Sequence, residues 1–116
     1  MSVIVDDMFA RVNPAEAAKL LKSGKLEVID VRDAADWAKA HVPGARQVTL
    51  AELREDARPH LRRDGVLFVC AAGVRSETAA RLALDHGLTR VYSLVGGTQS
   101  WIKAGLPIAI ELQVAV

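Results

Sequence analysis

Short apolar runs, rich in β-branched residues, alternate along the chain with segments whose apolar residues recur at helical spacing. Each run is five or six residues long, the length of a buried strand. Continuous apolar strands between helices predict a largely parallel sheet with helices on both faces, so the expected fold class is α/β. The predicted strands are Leu26–Val31, Arg46–Leu50, Val66–Cys70 and Val91–Val95.

Capping signals mark where the predicted helices begin and end. Asn13 followed by Pro14, with Glu16 three residues after the cap, begins a helix that stops near Ser23-Gly24. Thr49 and Glu52 form a second capping box before a short helix. Further helices are predicted at Ala34–Ala40, from about Ser76 to Asp85, and at Thr98–Lys103. The highly charged segment Glu55–Asp64 predicts a solvated connection with one helical turn at most.

Length and charge limit the classes of function. The 116 residues fit one domain, 1–116, that is long enough to have a core of its own. A net charge of +1 disfavours nucleic acid as a partner, because its binding usually needs a strongly basic face. No apolar run approaches the length of a membrane span, and the N-terminus carries acids where a secretory signal carries basic residues. We therefore expect a mature, cytoplasmic protein without membrane partners.

Cys70 is the only cysteine of the chain. An intramolecular disulfide, a CxxC redox motif and a cysteine-based zinc site are thereby excluded. The histidines His41, His60 and His86 stand far apart without metal-ligand spacing. The lone thiol is therefore either an inert, small buried side chain or a reactive group.

The segment after Cys70 favours reactivity. Cys70 ends a predicted strand, and sites in parallel sheets form at the carboxyl ends of strands. The small residues that follow let the backbone curl with its amides inward, which makes an anion site that favours the thiolate. Arg75 would add a fixed, bidentate positive charge, although it could equally be a surface residue. The expected loop is Cys70-Ala71-Ala72-Gly73-Val74-Arg75-Ser76.

Four stretches carry a recognisable order of motifs. They stand at Asp30-Val31-Arg32, at Asp36-Trp37 with His41-Val42-Pro43-Gly44-Ala45, at Cys70–Arg75 as C-x-x-G-x-R, and at Gly96-Gly97 with Trp101 and Gly105-Leu106-Pro107. In this order and spacing the chain resembles the rhodanese-type sulfurtransferases over residues from about 10 to 107. The resemblance implies a three-layer domain with a mostly parallel central sheet. Ala40, Val95 and Asp36 depart from the residues that are usual at their positions.

The resemblance also implies a chemistry. Cys70 would be the catalytic nucleophile, taking a sulfane sulfur from thiosulfate or a thiol persulfide and passing it to an external thiol or protein, without a metal or organic cofactor. Asp30, Arg32 and Asp36 would form a supporting charge scaffold. The loop residues that would cradle the sulfur are Ala71, Ala72, Gly73, Val74, Arg75 and Ser76. Because Arg75 is the only charged one, we expect thiosulfate to be a poor donor.

Two other classes of function remain open at this point. The same loop would serve a sulfur carrier or a regulatory binding module that does not turn over. A cysteine phosphatase or arsenate reductase is disfavoured, because those enzymes use C-x5-R and this loop is C-x4-R. Trp37 and Trp101 are expected in or near the core, and His41 is expected to satisfy backbone groups rather than act as a base. The apolar tail Ile108–Val116 is expected to pack on its own domain.

Overall fold

Five parallel strands form the central sheet of the computed structural model, which describes residues 9–112. The strand order is β1-β5-β4-β2-β3, and every pair of neighbours is parallel. The elements in chain order are β1 (Ala10–Val12), α1 (Pro14–Lys22), β2 (Glu27–Asp30), α2 (Ala34–Lys39), β3 (Arg46–Gln47), α3 (Leu50–Glu55), β4 (Val66–Val69), α4 (Val74–Asp85), β5 (Val91–Leu94) and α5 (Gly97–Lys103).

Both faces of the sheet are buried, as the continuous apolar strands predict. Side chains alternate along the central strand β4, so that Phe68 packs with Ala79 and Ala83 of α4. Leu67, its neighbour, packs on the opposite face with Ala17 of α1 and the indole of Trp101. The α/β class and the three layers are therefore confirmed, and β4 is covered on both sides.

Local capping signals fix most helix starts. Asn13 and Thr49 cap α1 and α3, and each forms the reciprocal capping box that its sequence predicts. One prediction is wrong: α4 begins at Val74, two residues before the predicted start. Its N-cap is Gly73, which has a φ of 98° and no side chain with which to cap the helix. The loop after β4 is correspondingly shorter than expected.

The chain ends differ from the predicted pattern in two respects. The edge strand β1 was not expected, because three residues with two of them exposed give no apolar run. In the tail, Ala109 exchanges two backbone hydrogen bonds with His41, so this part packs on its own domain. Ile108 and Ile110 beside it remain exposed. The expectations for residues 1–8 and 113–116 lie outside the described residues.

None of the helices between residues 9 and 112 combines the length and the apolar character that crossing a membrane requires.

Candidate active site

The sulfur of Cys70 is held by backbone amides at the carboxyl end of β4. Cys70 Sγ accepts hydrogen bonds from the amide of Gly73 at 3.1 Å and from that of Ser76 at 3.3 Å. The Ser76 hydroxyl lies 3.5 Å from the same sulfur. Cys70 is only 1% exposed, and its side chain belongs to the apolar cluster on the α4 face of the sheet. Backbone donors therefore surround a sulfur that is otherwise shielded from water.

This arrangement makes the sulfur the cap of α4. Ser76 is the third residue of the helix, and the amide at that position normally donates a hydrogen bond to the side chain of the capping residue. The amides of the first two residues, Val74 and Arg75, have no acceptor within the helix and lie at the positive end of its dipole. Two amides of this segment therefore donate to Cys70 Sγ, and two more lie at the positive end of the helix beside it.

The turn between β5 and α5 fixes the loop from the other side. The amide and the hydroxyl of Thr98 both donate to the carbonyl oxygen of Cys70, at 2.8 and 3.2 Å. The amide of Gln99 donates to the carbonyl oxygen of Ala71 at 3.1 Å. At Gly97, which has a φ of 60°, an added Cβ would lie 2.3 Å from the Cys70 carbonyl oxygen. The Gly-Gly turn is thus required where two backbones meet.

Asp30 and Arg32 form a bidentate ion pair at the end of β2, next to β4. Arg32 Nη2 donates to Asp30 Oδ2 at 2.8 Å and Arg32 Nε donates to Asp30 Oδ1 at 3.0 Å, and Asp30 is fully buried. Burial opposes the charged form of Arg32, but the hydrogen bonds and charge of Asp30 outweigh it, so the pKa of the guanidinium lies above its ordinary value. The charges of Asp36 and Cys70 act in the same direction. The structure thus brings the three predicted scaffold residues together near the loop.

A pocket of about 220 Å³ opens beside the loop, between α2 and α5. It contains the acidic side chain of Asp36 and the basic side chains of Arg32 and Lys39. We call it the α2–α5 pocket. Its lining residues are Arg32, Asp36, Lys39, Ala40, Ala71, Thr98, Gln99 and Ile102.

A second pocket, of about 340 Å³, lies on the other side of the loop. Ala72, Gly73 and Val74 form its loop wall, and Val74 is 76% exposed there. The paired side chains of Arg11 and Glu77, 2.8 Å apart, also line this pocket. Residues of the Cys70 loop thus line two pockets, one with both charge signs and one that includes an ion pair.

Arg75 lies in the first turn of α4 and faces solvent. Its side chain makes no hydrogen bond or ion pair within residues 9–112. Of the two roles that the sequence left open for it, a fixed charge at the loop and an exposed side chain, this position corresponds to the second. Arg32 lines the α2–α5 pocket, and hydrogen bonds to Asp30 and to the Ala40 carbonyl oxygen hold its side chain in place.

The aromatic residues and the histidine of the motifs support the structure around the site. The ring of His41 stacks on that of Trp37 at 4.3 Å, and its Nδ1 lies 2.7 Å from the Trp37 carbonyl oxygen. Its Nε2 lies 3.8 Å from Glu111, so its ring partners are not in the Cys70 loop. Trp101 is buried, with its indole nitrogen donating to the Pro107 carbonyl oxygen. These positions agree with the structural roles expected from the sequence.

Three residues near the site were missed in the sequence. Thr98 was assigned only to a helix, although it binds the Cys70 carbonyl oxygen. Lys39 lines the α2–α5 pocket, but the sequence pattern of its helix does not indicate what the side chain faces. Ser93 is buried in β5 and its hydroxyl lies 2.8 Å from that of Ser76. A signal existed for Ser93, since a serine within an apolar strand needs a buried partner.

The geometry defines a class of protein, a parallel α/β domain in which a thiol accepts hydrogen bonds from backbone amides at the end of the central strand. The family model described as "Rhodanese-like domain" matches residues 13–104. The chain belongs to the rhodanese-like domain family.

Similar proteins include one named as an enzyme and one named as a putative carrier. Thiosulfate sulfurtransferase GlpE of Coxiella burnetii is 30% identical over 94 residues, which cover 81% of this chain and 88% of that protein. "Putative sulfur carrier protein YrkF" of Bacillus subtilis is 34% identical over 76 residues, 66% of this chain and 41% of that one. The crystal structure of a rhodanese-related protein from Thermoplasma volcanium superposes with a TM-score of 0.79 at 28% identity, covering 88% of this chain and 99% of that one. Two of these names, the sulfurtransferase and the putative sulfur carrier, refer to sulfur chemistry.

Proposed function

We propose that this protein is a sulfurtransferase that carries a sulfane sulfur on Cys70 as a persulfide. One observation carries the proposal: the sulfur of the only cysteine accepts hydrogen bonds from two backbone amides at the carboxyl end of the central strand. Amides in this arrangement stabilise negative charge on sulfur without a metal or a second cysteine. The sulfurtransferase names of relatives agree with this chemistry.

The reaction has two transfers that balance without net oxidation. In the first, the Cys70 thiolate attacks the outer sulfur of the donor, a bond forms between the two sulfurs, and the donor's own sulfur–sulfur bond breaks. The donor leaves as a thiolate, or as sulfite when it is thiosulfate. In the second, an acceptor thiolate attacks the terminal sulfur and the electron pair returns to Cys70 Sγ. Because the chain has one cysteine, the acceptor is another molecule.

The terminal sulfur has donors ready for its charge. The amides of Val74 and Arg75 lie at the start of α4 without helical acceptors, where a sulfur attached to Cys70 Sγ can reach the amide concavity. The exposed guanidinium of Arg75 is free to swing over the loop when substrate is present. Negative charge on the transferred sulfur is thereby stabilised while its bonds are exchanged.

The donor we propose is not thiosulfate but a zwitterionic thiol persulfide, which has a positive and a negative group. Arg75 is the only loop side chain that offers a cation to an inorganic dianion, since Ala71, Ala72 and Val74 are uncharged. The α2–α5 pocket instead presents the carboxylate of Asp36 and the ammonium group of Lys39, which suit an amino-acid-like group with an ammonium and a carboxylate. A kcat/KM for thiosulfate equal to or above that for such a persulfide would contradict this choice of donor.

A sulfur carrier that serves one partner protein is the second candidate. The relative named as a sulfur carrier supports it, and a carrier needs the same cradle for its persulfide. The two candidates differ in the second transfer. Discharge of the loaded protein by many small thiols supports the enzyme, whereas discharge only by one protein supports the carrier.

Intact mass after incubation with sulfane donors tests the proposal directly. We expect the wild-type protein to gain one sulfur atom and Cys70→Ser to gain none. The added sulfur should leave when a thiol acceptor is supplied. Absence of any gain with thiosulfate and with thiol persulfides would contradict the proposal. Hydrolysis of an aryl phosphate that is lost in Cys70→Ser would instead favour phosphatase chemistry.

A further inference from the structure

Two buried hydroxyl groups extend from the sulfur of Cys70 into the sheet. Ser76 Oγ lies 3.5 Å from Cys70 Sγ and 2.8 Å from Ser93 Oγ. Ser76 is fully buried and Ser93 is 2% exposed. The three atoms form a chain from the sulfur through α4 to the middle of β5.

The number of hydrogens that these three groups must pair depends on whether the sulfur is a thiol or a thiolate. A thiol brings three hydrogens, its S–H and the two hydroxyl O–H groups, to two hydrogen bonds. In whichever direction the bonds run, one of these hydrogens has no acceptor among the side-chain contacts of residues 9–112. A thiolate leaves only two hydrogens: Ser93 donates to Ser76, Ser76 donates to Cys70 Sγ, and both are used. A buried polar hydrogen without an acceptor is costly, so the three groups are fully satisfied only when the sulfur carries no hydrogen, as in the thiolate.

We propose that Ser93 is a positioning residue, whose hydroxyl directs the Ser76 O–H at Cys70 Sγ and thereby favours the thiolate. Ser93 touches no reacting atom and acts through Ser76. For sulfur transfer, the inference rests on the proposed function: the chain stabilises the thiolate that attacks the donor and the thiolate that leaves in the second transfer. In the persulfide between these steps the charge lies on the outer sulfur, so the Ser76 hydroxyl binds Sγ more weakly than in the thiolate, and the gain on release of the thiolate favours the second transfer.

Charged groups near Cys70 also act on the equilibrium between its thiol and thiolate forms. Arg32 is the cation whose charge interacts with Cys70, and it is paired with Asp30. Tyr92, beside Ser93, packs with the cluster on the opposite face of the sheet. The groups near the loop from β1, β2, α2 and α4 are Arg11, Asp30, Arg32, Asp36, Lys39, Arg75 and Glu77. Substitutions at Ser93 change none of these charges.

Alkylation of Cys70 by iodoacetamide, followed across the pH range in which a thiol titrates, tests the inference. We expect the rate midpoint of Ser93→Ala to lie about half a pH unit above that of the wild type, as loss of one neutral hydrogen bond implies. The alkylation rate below the midpoint should fall about threefold. Ser93→Thr keeps the hydroxyl and should stay near the wild-type midpoint. Tyr92→Phe removes a hydroxyl from the other face and should leave the midpoint unchanged.

A matched pair keeps the test decisive if the alanine variant does not fold. Thr and Val have nearly the same shape and differ at the hydroxyl, so Ser93→Val should have a higher midpoint than Ser93→Thr. Equal midpoints in this pair, or a wild-type midpoint in folded Ser93→Ala, would overturn the inference. Alkylation needs no sulfur donor, so its result is independent of sulfur loading. A protein that never gains sulfur contradicts the proposed function and leaves the alkylation comparison intact.

Discussion

The sulfur of Cys70 lies 3.3 Å from the backbone nitrogen of Ser76 and accepts its hydrogen bond. In α1 and α3 the corresponding bond goes to the side chains of Asn13 and Thr49, residues that immediately precede their helices. In α4 the residue at that place is Gly73, and the acceptor comes from the end of β4. The same atom therefore caps a helix and is the proposed carrier of sulfur.

This double role predicts a loss of stability in Cys70→Ala. The variant leaves the buried amides of Gly73 and Ser76 without their acceptor. We expect the free energy of unfolding to fall by about 1–2 kcal/mol, the usual effect of a lost cap. Urea unfolding of wild type and variant under reducing conditions measures the difference. An unchanged urea midpoint would show that the sulfur does not stabilise the helix.

Gly97→Ala is expected to destabilise the protein by more than backbone strain alone. Its Cβ would lie 2.3 Å from the Cys70 carbonyl oxygen and 2.6 Å from that of Ala71. Gly24 is the matched control, since its φ of 72° is similar and nothing lies within 4 Å of an added Cβ. Gly24→Ala should cost about 1 kcal/mol, and Gly97→Ala at least about 2 kcal/mol more. Equal losses in thermal or urea unfolding would contradict the close approach of the two backbones.

Asp30→Asn is expected to be strongly destabilising. It leaves Arg32 buried without the bidentate carboxylate, and breaking such a buried pair typically costs about 3–5 kcal/mol. The exposed pair of Asp56 and Arg58 supplies the control. Because solvent screens that pair, Asp56→Asn should unfold at nearly the wild-type urea concentration. Similar midpoints for the two variants would argue against a structural role for the Asp30–Arg32 pair.

Asp64 predicts a pH-dependent contribution to stability. Hydrogen bonds from Thr89, Arg90 and Gly65 to its carboxylate lower its pKa to about 2. Since the folded-state pKa lies below the unfolded one, the contribution is present above about pH 4 and is lost as the pH falls toward 2. Asp64→Asn should therefore be less stable than wild type at neutral pH, and the difference should vanish in acid. A difference that stays constant across these pH values would contradict this linkage.

Lys39→Ala is expected to affect persulfide donors selectively. If the organic part of the donor lies in the α2–α5 pocket, loss of the Lys39 charge should raise KM for a zwitterionic persulfide about threefold, the scale of one exposed ion pair. The KM for thiosulfate should hardly change. Lys25→Ala, at an exposed loop position, is the control for net charge. An equal rise for both donors would place the recognition elsewhere.

The sequence determined those features that depend on residues close together in the chain. Strands that are apolar without interruption, such as Val66–Val69, could only be buried on both faces, and the structure confirms this. The capping boxes of α1 and α3 lie within four residues of chain, so their spacing is sufficient to predict them. The loop after Cys70 was predicted from its small residues, which let the backbone curl tightly directly after a strand, although its end at the start of α4 was predicted two residues too late.

Contacts between distant segments were decided by the tertiary structure. The sequence showed that Arg75 carries a charge, but only the start of α4 at Val74 determined that this charge faces solvent. Thr98 reaches the Cys70 carbonyl oxygen, and Ser93 reaches Ser76, across 28 and 17 residues of chain. The physical reason is that side-chain alternation fixes the face of a strand, while the packing of α4 on β5 fixes which buried hydroxyl meets which. The chain itself thus determined that one thiol stands at the end of a buried strand, and the assembled sheet determined what surrounds its sulfur.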